Sequence, residues 1–553
     1  MKRNLRRRSR TTKAATLLGL QCMAMASVHA APACYVDAVA GVTPAGCMNT
    51  ISWSGHGEFD PAIIKVVYGG QYARVGSGLS IYNSNEPPPG GGNSGTRGIY
   101  ADGQSAASPP EPSRARTDGY TTITIEATSV YNPTSNEGVY ASNGAQVQIG
   151  GGLSVTTSTT QPGTTARAVV AHGTGVGALA TTPSGVTVDG ALEVDTTQAA
   201  QTAFAVEATD GGAITIWGGG SLRSARSGIY VRAAGTGTLP SSVSMAAPLF
   251  TLQAGGNGVT LEGASSGNAN VGTAQFSSAA ITAHDSGVHL HHGNSSSSVM
   301  YYLQQSGSIT STHGSAIAFT GGAGTANVEL GDVTVASQSP TLGGVDADSV
   351  PIGYAVVSTS GADNRLFMTG GRLNGPVVTD TGARLWLNPN DSTWNTGGDP
   401  GSATLNSLSG MSGTLTLRMD DINDRIELRG DAPSLGTGCG TATVTLQIPT
   451  SQPAPATSPH TLMLCGNIDA APTVTLQGGS VVLGGFHYTL QVNTAGRSRA
   501  YQLVRGSAAA DAGPGAGAKA IPTLSEWGLA MLSGLVGMAA FLRRRRSPGS
   551  RGA

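Results

Sequence analysis

The amino-acid sequence predicts an all-β fold, a parallel β-helix in which short strands stack coil upon coil. Two observations support this prediction. A glycine-rich unit of about thirty residues recurs along the chain, and within each unit apolar residues alternate with polar ones, which is the period of a strand. Because so short a unit cannot close a core alone, whereas stacked units share one, the pattern is typical of a solenoid.

The first strand of each unit starts with a small residue or Tyr and continues with apolar residues. Its occurrences begin at residues 98, 138, 168, 203, 228, 258, 287, 316 and 354. A second alternating run follows most of them, for example at 186–188 and 214–216. With strands about 4.8 Å apart, about ten coils between Gly98 and Arg429 would make a rod on the order of 50 Å long.

Composition narrows the class of protein. The chain has 81 glycines, 11% charged residues and 5% aromatic residues, which favours tightly turned β structure over helical or nucleic-acid-binding proteins. Basic residues concentrate at the ends: residues 1–30 hold seven Lys or Arg, and residues 521–553 hold five Arg. The body between them has a formal charge of −12, so no nucleic-acid partner is expected.

The N-terminal part has the features of an exported protein. Residues 1–30 combine a basic start, an apolar stretch and small residues at the exit, as in a secretory signal peptide. Residues 31–97 are predicted to form an N-terminal cap and loop, and residues 98–390 the coils. Outside the leader stand four cysteines, for which an exported chain favours two local disulfides. The candidate pairs are Cys34 with Cys47 and Cys439 with Cys465.

Residues 391–505 carry more specific motifs. STWNTG, LNSLSG, GTLTLR and DRIELRG follow one another at 392–397, 405–410, 413–418 and 424–430, and a last apolar segment covers 474–504. In order and spacing this region resembles the end of the pertactin-like passenger of bacterial autotransporters. The resemblance implies a right-handed parallel β-helix that ends in a self-chaperoning cap.

The remaining residues differ from that family. After a linker at 506–520, residues 521–553 are too few for a membrane barrel. They hold a short motif, an apolar stretch at 529–542 that is predicted to form a transmembrane helix, and a basic stop. The motif residues are Ile521, Pro522, Thr523, Leu524, Trp527 and Gly528, and the basic stop is Arg543, Arg544, Arg545 and Arg546. The block resembles the IPTL-type sorting signal of Gram-negative bacteria, which implies an exosortase-type protease as partner.

Two other clusters are candidates for a site. His284, His289, His291 and His292 could include metal ligands, because alternate residues of a strand share a face, although coil tips also tolerate solvated polar residues. The tripeptide at 429–431, Arg-Gly-Asp, is of the integrin-binding type. It also overlaps an ordinary strand end, and a chance occurrence explains it equally well.

Together these features predict an exported surface protein with no catalytic, cofactor-binding or metal-binding residue. An adhesin or a structural envelope component fits best, with a host or matrix surface as ligand. The precursor would be anchored in the inner membrane before it reaches the surface. The alternative is a carbohydrate-active β-helix enzyme, and an acid-lined groove would distinguish it, because such chemistry needs clustered carboxylates.

Overall fold

The chain folds into strands and turns throughout the part that can be described. The computed structural model describes residues 34–37, 50–53, 62–67, 69–74, 78–84, 95–103, 112–126, 135–159, 164–173, 182–198, 202–233, 239–247, 249–265, 271–397, 402–408, 414–430 and 438–508. Within these ranges there is no helix, and none that could cross a membrane. The predicted signal peptide and the predicted transmembrane helix at 529–542 lie outside them.

Forty-three strands are defined in the described ranges. The first fifteen are β1 (Cys34–Asp37), β2 (Thr50–Trp53), β3 (Ala62–Val67), β4 (Gln71–Arg74), β5 (Leu79–Asn83), β6 (Gly95–Asp102), β7 (Arg114–Thr117), β8 (Tyr120–Glu126), β9 (Ser135–Ser142), β10 (Gln146–Ile149), β11 (Gly152–Ser158), β12 (Thr165–His172), β13 (Ser184–Val188), β14 (Ala191–Thr196) and β15 (Thr202–Thr209). The next fifteen are β16 (Gly212–Ile216), β17 (Gly220–Ser224), β18 (Ser227–Arg232), β19 (Ser241–Met245), β20 (Phe250–Ala254), β21 (Val259–Glu262), β22 (Val271–Phe276), β23 (Ala279–Ala283), β24 (Val288–His292), β25 (Val299–Ser311), β26 (Ile317–Gly321), β27 (Thr325–Ser337), β28 (Val356–Ser358), β29 (Asp363–Thr369) and β30 (Arg372–Asn374). The last thirteen are β31 (Val377–Thr379), β32 (Trp386–Asn390), β33 (Ser392–Asn395), β34 (Ser402–Leu405), β35 (Ser407–Leu408), β36 (Thr414–Arg418), β37 (Arg425–Leu428), β38 (Thr443–Gln447), β39 (His460–Cys465), β40 (Thr473–Leu476), β41 (Ser480–Leu483), β42 (Phe486–Ala495) and β43 (Ser498–Ala508).

The first strand of each coil joins one parallel sheet. In the described ranges this first sheet has twelve strands, in the order β1, β3, β6, β9, β12, β15, β18, β21, β24, β26, β28 and β31. The predicted repeat segments all fall in it. Their apolar members stand in register, so that Ile99 pairs with Val139, Val139 with Val169, Val169 with Val206 and Val206 with Ile229. The prediction of an all-β protein with long parallel sheets is confirmed.

Each coil adds a second and a third strand to two further parallel ladders. The second ladder runs through β4, β7, β10, β13, β16, β19 and β22, and the third through β5, β8, β11, β14, β17, β20 and β23. The long strands β25 and β27 extend across both ladders. Three ladders per coil enclose one interior, which is the arrangement of a β-helical solenoid.

The interior is filled by the inward members of all three ladders. The columns of Ile and Val are fully buried, with Ile99, Val139 and Val169 at 1% exposure or less. Each such side chain contributes about 1.5–3 kcal/mol on burial. Further along, Phe250, Phe276 and Tyr302 form an aromatic column, with successive ring centroids 6.4 and 5.6 Å apart. A continuous column of this kind stabilises each coil through its neighbours.

The coils extend beyond both ends of the predicted array. Strands β1 to β5 of the predicted cap and loop already belong to the parallel ladders, since β1 pairs with β3 and β3 with β6. At the other end the third ladder continues past residue 391 through β33, β36, β38 and β40. The parallel pairing therefore includes strands outside the predicted array of coils.

The last described segment changes its pairing. β37 pairs in parallel with β39, but β39 pairs antiparallel with β43, and β41 pairs antiparallel with β42. Cys439 and Cys465 form a disulfide here, with Cα atoms 5.8 Å apart. The buried Tyr501 donates its hydroxyl to the carbonyl of Pro472. Antiparallel strands end the coil repeat, and β43 extends to Ala508, into the predicted linker.

Candidate functional site: a charged strip on the first sheet

The first sheet carries charged side chains at paired positions of neighbouring strands. Parallel register places Arg97 beside Glu137 and Glu137 beside Arg167. Glu207 follows on the next strand, β15. We call these four residues, Arg97, Glu137, Arg167 and Glu207, the charged strip.

Glu137 is the centre of the charged strip. Its side chain is 1% exposed, and Nε of Arg97 donates to Oε2 at 2.5 Å. Nη1 of Arg167 lies 3.3 Å from Oε1, and Oγ of Ser135 donates to the same oxygen at 2.9 Å. Burial raises the pKa of Glu137, but the two guanidinium groups outweigh burial, and the net pKa is lowered. The carboxylate is therefore held in its ionised form.

Arg167 contacts two carboxylates. Besides Glu137, its Nε lies 3.0 Å from Oε2 of Glu207, although the alignment of these two atoms does not make a hydrogen bond. Burial raises the pKa of Glu207, Arg167 lowers it, and the net effect is a raised pKa. The two glutamates of the charged strip thus differ. The arginines more than offset the burial of Glu137, whereas Arg167 does not offset the burial of Glu207.

Tyrosine rings cover the same end of the strip. The guanidinium carbon of Arg97 lies 4.6 Å from the ring centroids of both Tyr100 and Tyr140, within cation–π range. The two rings are 5.7 Å apart. Burial, and then the charge of Glu137, raise the pKa of Tyr140. Arg97 is therefore held by an anion and by two aromatic faces.

The predicted histidine cluster does not form one site, because His289, His291 and His292 lie on β24 of the first sheet whereas His284 follows β23 of the third ladder. His289 and His291 are 5.9 Å apart between ring centroids, and both contact Oγ1 of Thr320, at 2.8 and 2.9 Å. His292 instead pairs with Oδ1 of Asn364 at 2.7 Å. His284 stacks on another histidine and contacts the adjacent aspartate. In the described part of the chain no group of His, Cys, Asp or Glu has the geometry to hold a metal.

Buried His289 has an altered titration. Burial lowers the pKa of His289 to about 4, with Asp348 acting in the opposite direction. Oδ2 of Asp348 lies 3.9 Å from its Nδ1 and accepts a hydrogen bond from Asn257 at 2.8 Å. His289 is therefore neutral near pH 7, and the side-chain nitrogen of Asn257, 3.3 Å from its Nδ1, joins it to Asp348.

The predicted integrin-type tripeptide is partly engaged within the protein. The Arg429 guanidinium donates to the carbonyls of Thr379, Asp380 and Ala383 at 3.0–3.2 Å, and Gly430 has a positive φ of 74°. Asp431 lies outside the described residues. The arginine therefore joins the terminal coils together.

Other predicted site residues fall outside the described ranges. These are Cys47 and the whole sorting block, Ile521, Pro522, Thr523, Leu524, Trp527, Gly528 and Arg543 to Arg546. Cys34 lies in β1. The charged strip itself was not predicted from the sequence. A signal was present, however, because Arg97, Glu137 and Arg167 each directly precede a repeat segment, and such equivalent positions pair in a stack of coils.

Comparison with known proteins bears on the C-terminal block. The family model described as the IPTL-CTERM motif matches residues 519–546. No curated protein matches the chain. The match supports a C-terminal sorting signal, which implies recognition by an exosortase-type protease, export, and association with the cell surface or envelope.

Proposed function

We propose that this protein is a pertactin-like passenger, a right-handed β-helix that reaches the cell surface through its sorting tail and acts there as an adhesin or structural component. The match of the sorting motif to residues 519–546 carries the proposal. The stacked parallel ladders supply the rod that such a role needs. The antiparallel strands β41 to β43 stand where that family has its cap.

We infer further that the protein does not act as a carbohydrate-active enzyme. The charged strip supports this, because Glu137 is buried and is neutralised by two arginines, so it has no free face toward a substrate. One described cavity of about 440 Å³ has Asp420 as its one carboxylate, and Arg418 also lines it. Another, of about 270 Å³, is lined by Arg223 and His284 without a carboxylate. Clustered acids in a cleft would favour the enzyme.

The proposed route begins with a membrane-held precursor. The apolar stretch at 529–542 would lie in the inner membrane, with Arg543 to Arg546 on the cytoplasmic side. Pro522 favours an extended motif, since proline fixes its own φ and disfavours helix at the preceding residue. The sorting protease would then cleave at or near Ile521–Leu524 and release the body to the surface.

Replacing Pro522 with Ala tests this route. Pro522→Ala should leave an uncleaved form in the inner membrane, while Pro514→Ala, in the preceding linker, should be processed normally. Fractionation and mass spectrometry of the C-terminal peptide measure both. Wild-type surface protein that retains the intact Arg543–Arg546 end would refute the proposed processing.

A further inference from the structure

One corner of the coils exposes large apolar side chains. Trp217 is 58% exposed, Tyr120 is 44% exposed and Leu249 is 62% exposed. Each lies where the second ladder turns into the third: Tyr120 is the first residue of β8, Trp217 lies between β16 and β17, and Leu249 lies between β19 and β20. We call these three residues the aromatic corner. Exposed apolar residues that fall singly on a surface need no explanation, but several of them at one corner do.

Tyr120 and Trp217 lie on different coils of the rod, at the same corner. A Cβ placed on Gly152, in the next coil, would lie 3.0 Å from Cδ2 of Tyr120, so the tyrosine ring lies against that coil. Its hydroxyl is 3.4 Å from Oε2 of Glu193, one coil further on. Trp217 belongs to the coil after that, which places it about 14 Å along the axis from Tyr120. The two rings can therefore contact one elongated ligand.

Hydrogen-bonding side chains flank the corner on both sides. In the third ladder the adjacent outward column is Thr122, Ser154, Glu193, Ser221 and Thr251. In the second ladder the corresponding column is Gln148, Thr187, Thr215 and Ser244. All are partly or fully exposed. Apolar faces with a few placed polar groups beside them are the usual make-up of a ligand site.

The charge near the corner selects among ligands. Asp189 and Glu193 are exposed beside it, and the neighbouring Arg116 is paired with Asp118 at 2.7 Å. Acidic polymers would meet these carboxylates and be repelled. A neutral polymer with alternating apolar and hydroxyl surfaces meets no such repulsion.

We propose that the aromatic corner binds a neutral β-linked hexose chain. The C–H faces of equatorially linked pyranose rings pack on aromatic rings, and their hydroxyls reach the flanking columns. The chain lies along the rod from Tyr120 to Trp217. The inference names a ligand class for the proposed surface protein, and its biological meaning rests on that proposed function.

Calorimetric titration of the full chain, purified in detergent, tests the inference. Cellohexaose and hexa-N-acetylchitohexaose are the probes, and one of them or both should bind. Trp217→Ala and Tyr120→Ala should each weaken binding about tenfold, and Trp217→Phe should retain most of it. Tyr301→Ala is the matched control, since Tyr301 is 40% exposed on the second ladder, away from the corner, and its binding should equal that of the wild type.

Several results would overturn the inference. One is that neither hexasaccharide binds at millimolar concentration, and another is that the Trp217→Ala protein binds them as tightly as the wild type. A third is that hexagalacturonate binds as tightly as the neutral hexasaccharides. The last is that the chain self-associates in a way that Trp217→Ala abolishes. The proposed function fails separately. A processed tail without hexasaccharide binding overturns this inference alone, whereas an unprocessed tail with hexasaccharide binding overturns the proposed sorting alone.

Discussion

The charged strip and the aromatic corner lie on largely the same coils, yet the strip buries charged side chains whereas the corner exposes apolar ones. In the strip, Glu137 is buried and contacts the guanidinium groups of two arginines. In the corner, Trp217 and Tyr120 project into solvent. The strip has residue types that occur in active sites, but its charged groups form ion pairs with one another. The three corner residues carry no charge and expose surface that a ligand could cover.

Desolvation explains the difference. A charge taken out of water needs a close partner, and burying a pair stabilises little or nothing compared with apolar residues. Once buried, however, each partner depends on the other. An exposed aromatic ring has no such dependence, so its removal leaves the fold intact. We therefore expect changes in the strip to lower stability and changes in the corner to lower binding, and measuring both quantities tests this difference.

The largest effect is expected from Glu137→Gln. This change leaves Arg97 and Arg167 without their shared anion and should lower the free energy of unfolding by about 3–5 kcal/mol. Urea denaturation measures it. Glu193→Gln is the control, because Glu193 is exposed and accepts a hydrogen bond from the Tyr120 hydroxyl at 3.4 Å, and it should change stability by less than about 0.5 kcal/mol. An unchanged midpoint for Glu137→Gln would show that the strip is solvated.

A pH effect of intermediate size is expected from His289. Its pKa is lowered to about 4 in the folded protein, against about 6.5 in the unfolded chain. Between these values the unfolded state binds more protons, so stability is full above about pH 6.5 and falls as the pH drops toward 4. The loss amounts to about 3 kcal/mol at most.

The measurement is the pH dependence of urea unfolding in wild type and in His289→Asn. The variant should lose less stability between pH 7 and 4. Parallel curves for wild type and His289→Asn would mean that the imidazole stays solvated in the folded protein.

Sequence periodicity predicted the interior and not the surfaces. The spacing of Val139, Val169 and Val206 follows from the need of each coil to bury the same side chains, so the repeat is visible in the chain itself. The Arg97–Glu137 pair joins residues forty positions apart and becomes visible only with the register. Trp217 stands beside glycines that the sequence indicates only as a turn, and its exposure depends on which way the corner faces.

The smallest effect concerns the floor of the aromatic corner. A Cβ on Gly190 would lie 2.0 Å from the carbonyl oxygen of Gly151 in the preceding coil, and backbone atoms at that distance cannot move aside cheaply. Gly190→Ala should therefore lower the free energy of unfolding by about 1–3 kcal/mol. Gly272→Ala is the matched change, since its nearest neighbour would be 3.6 Å away, and it should be neutral or stabilising by less than about 1 kcal/mol.

Hexasaccharide binding by the Gly190→Ala protein completes this comparison. If residue 190 is a glycine because the coils stack closely there, the folded Gly190→Ala variant should bind the probe within about threefold of wild type, while its unfolding midpoint falls. Binding lost at unchanged stability would give the opposite assignment, since the added methyl group would then block the ligand and leave coil stacking unaffected. In that case Gly190 would belong to the ligand-binding surface of the corner, and its small size would serve binding and not stability.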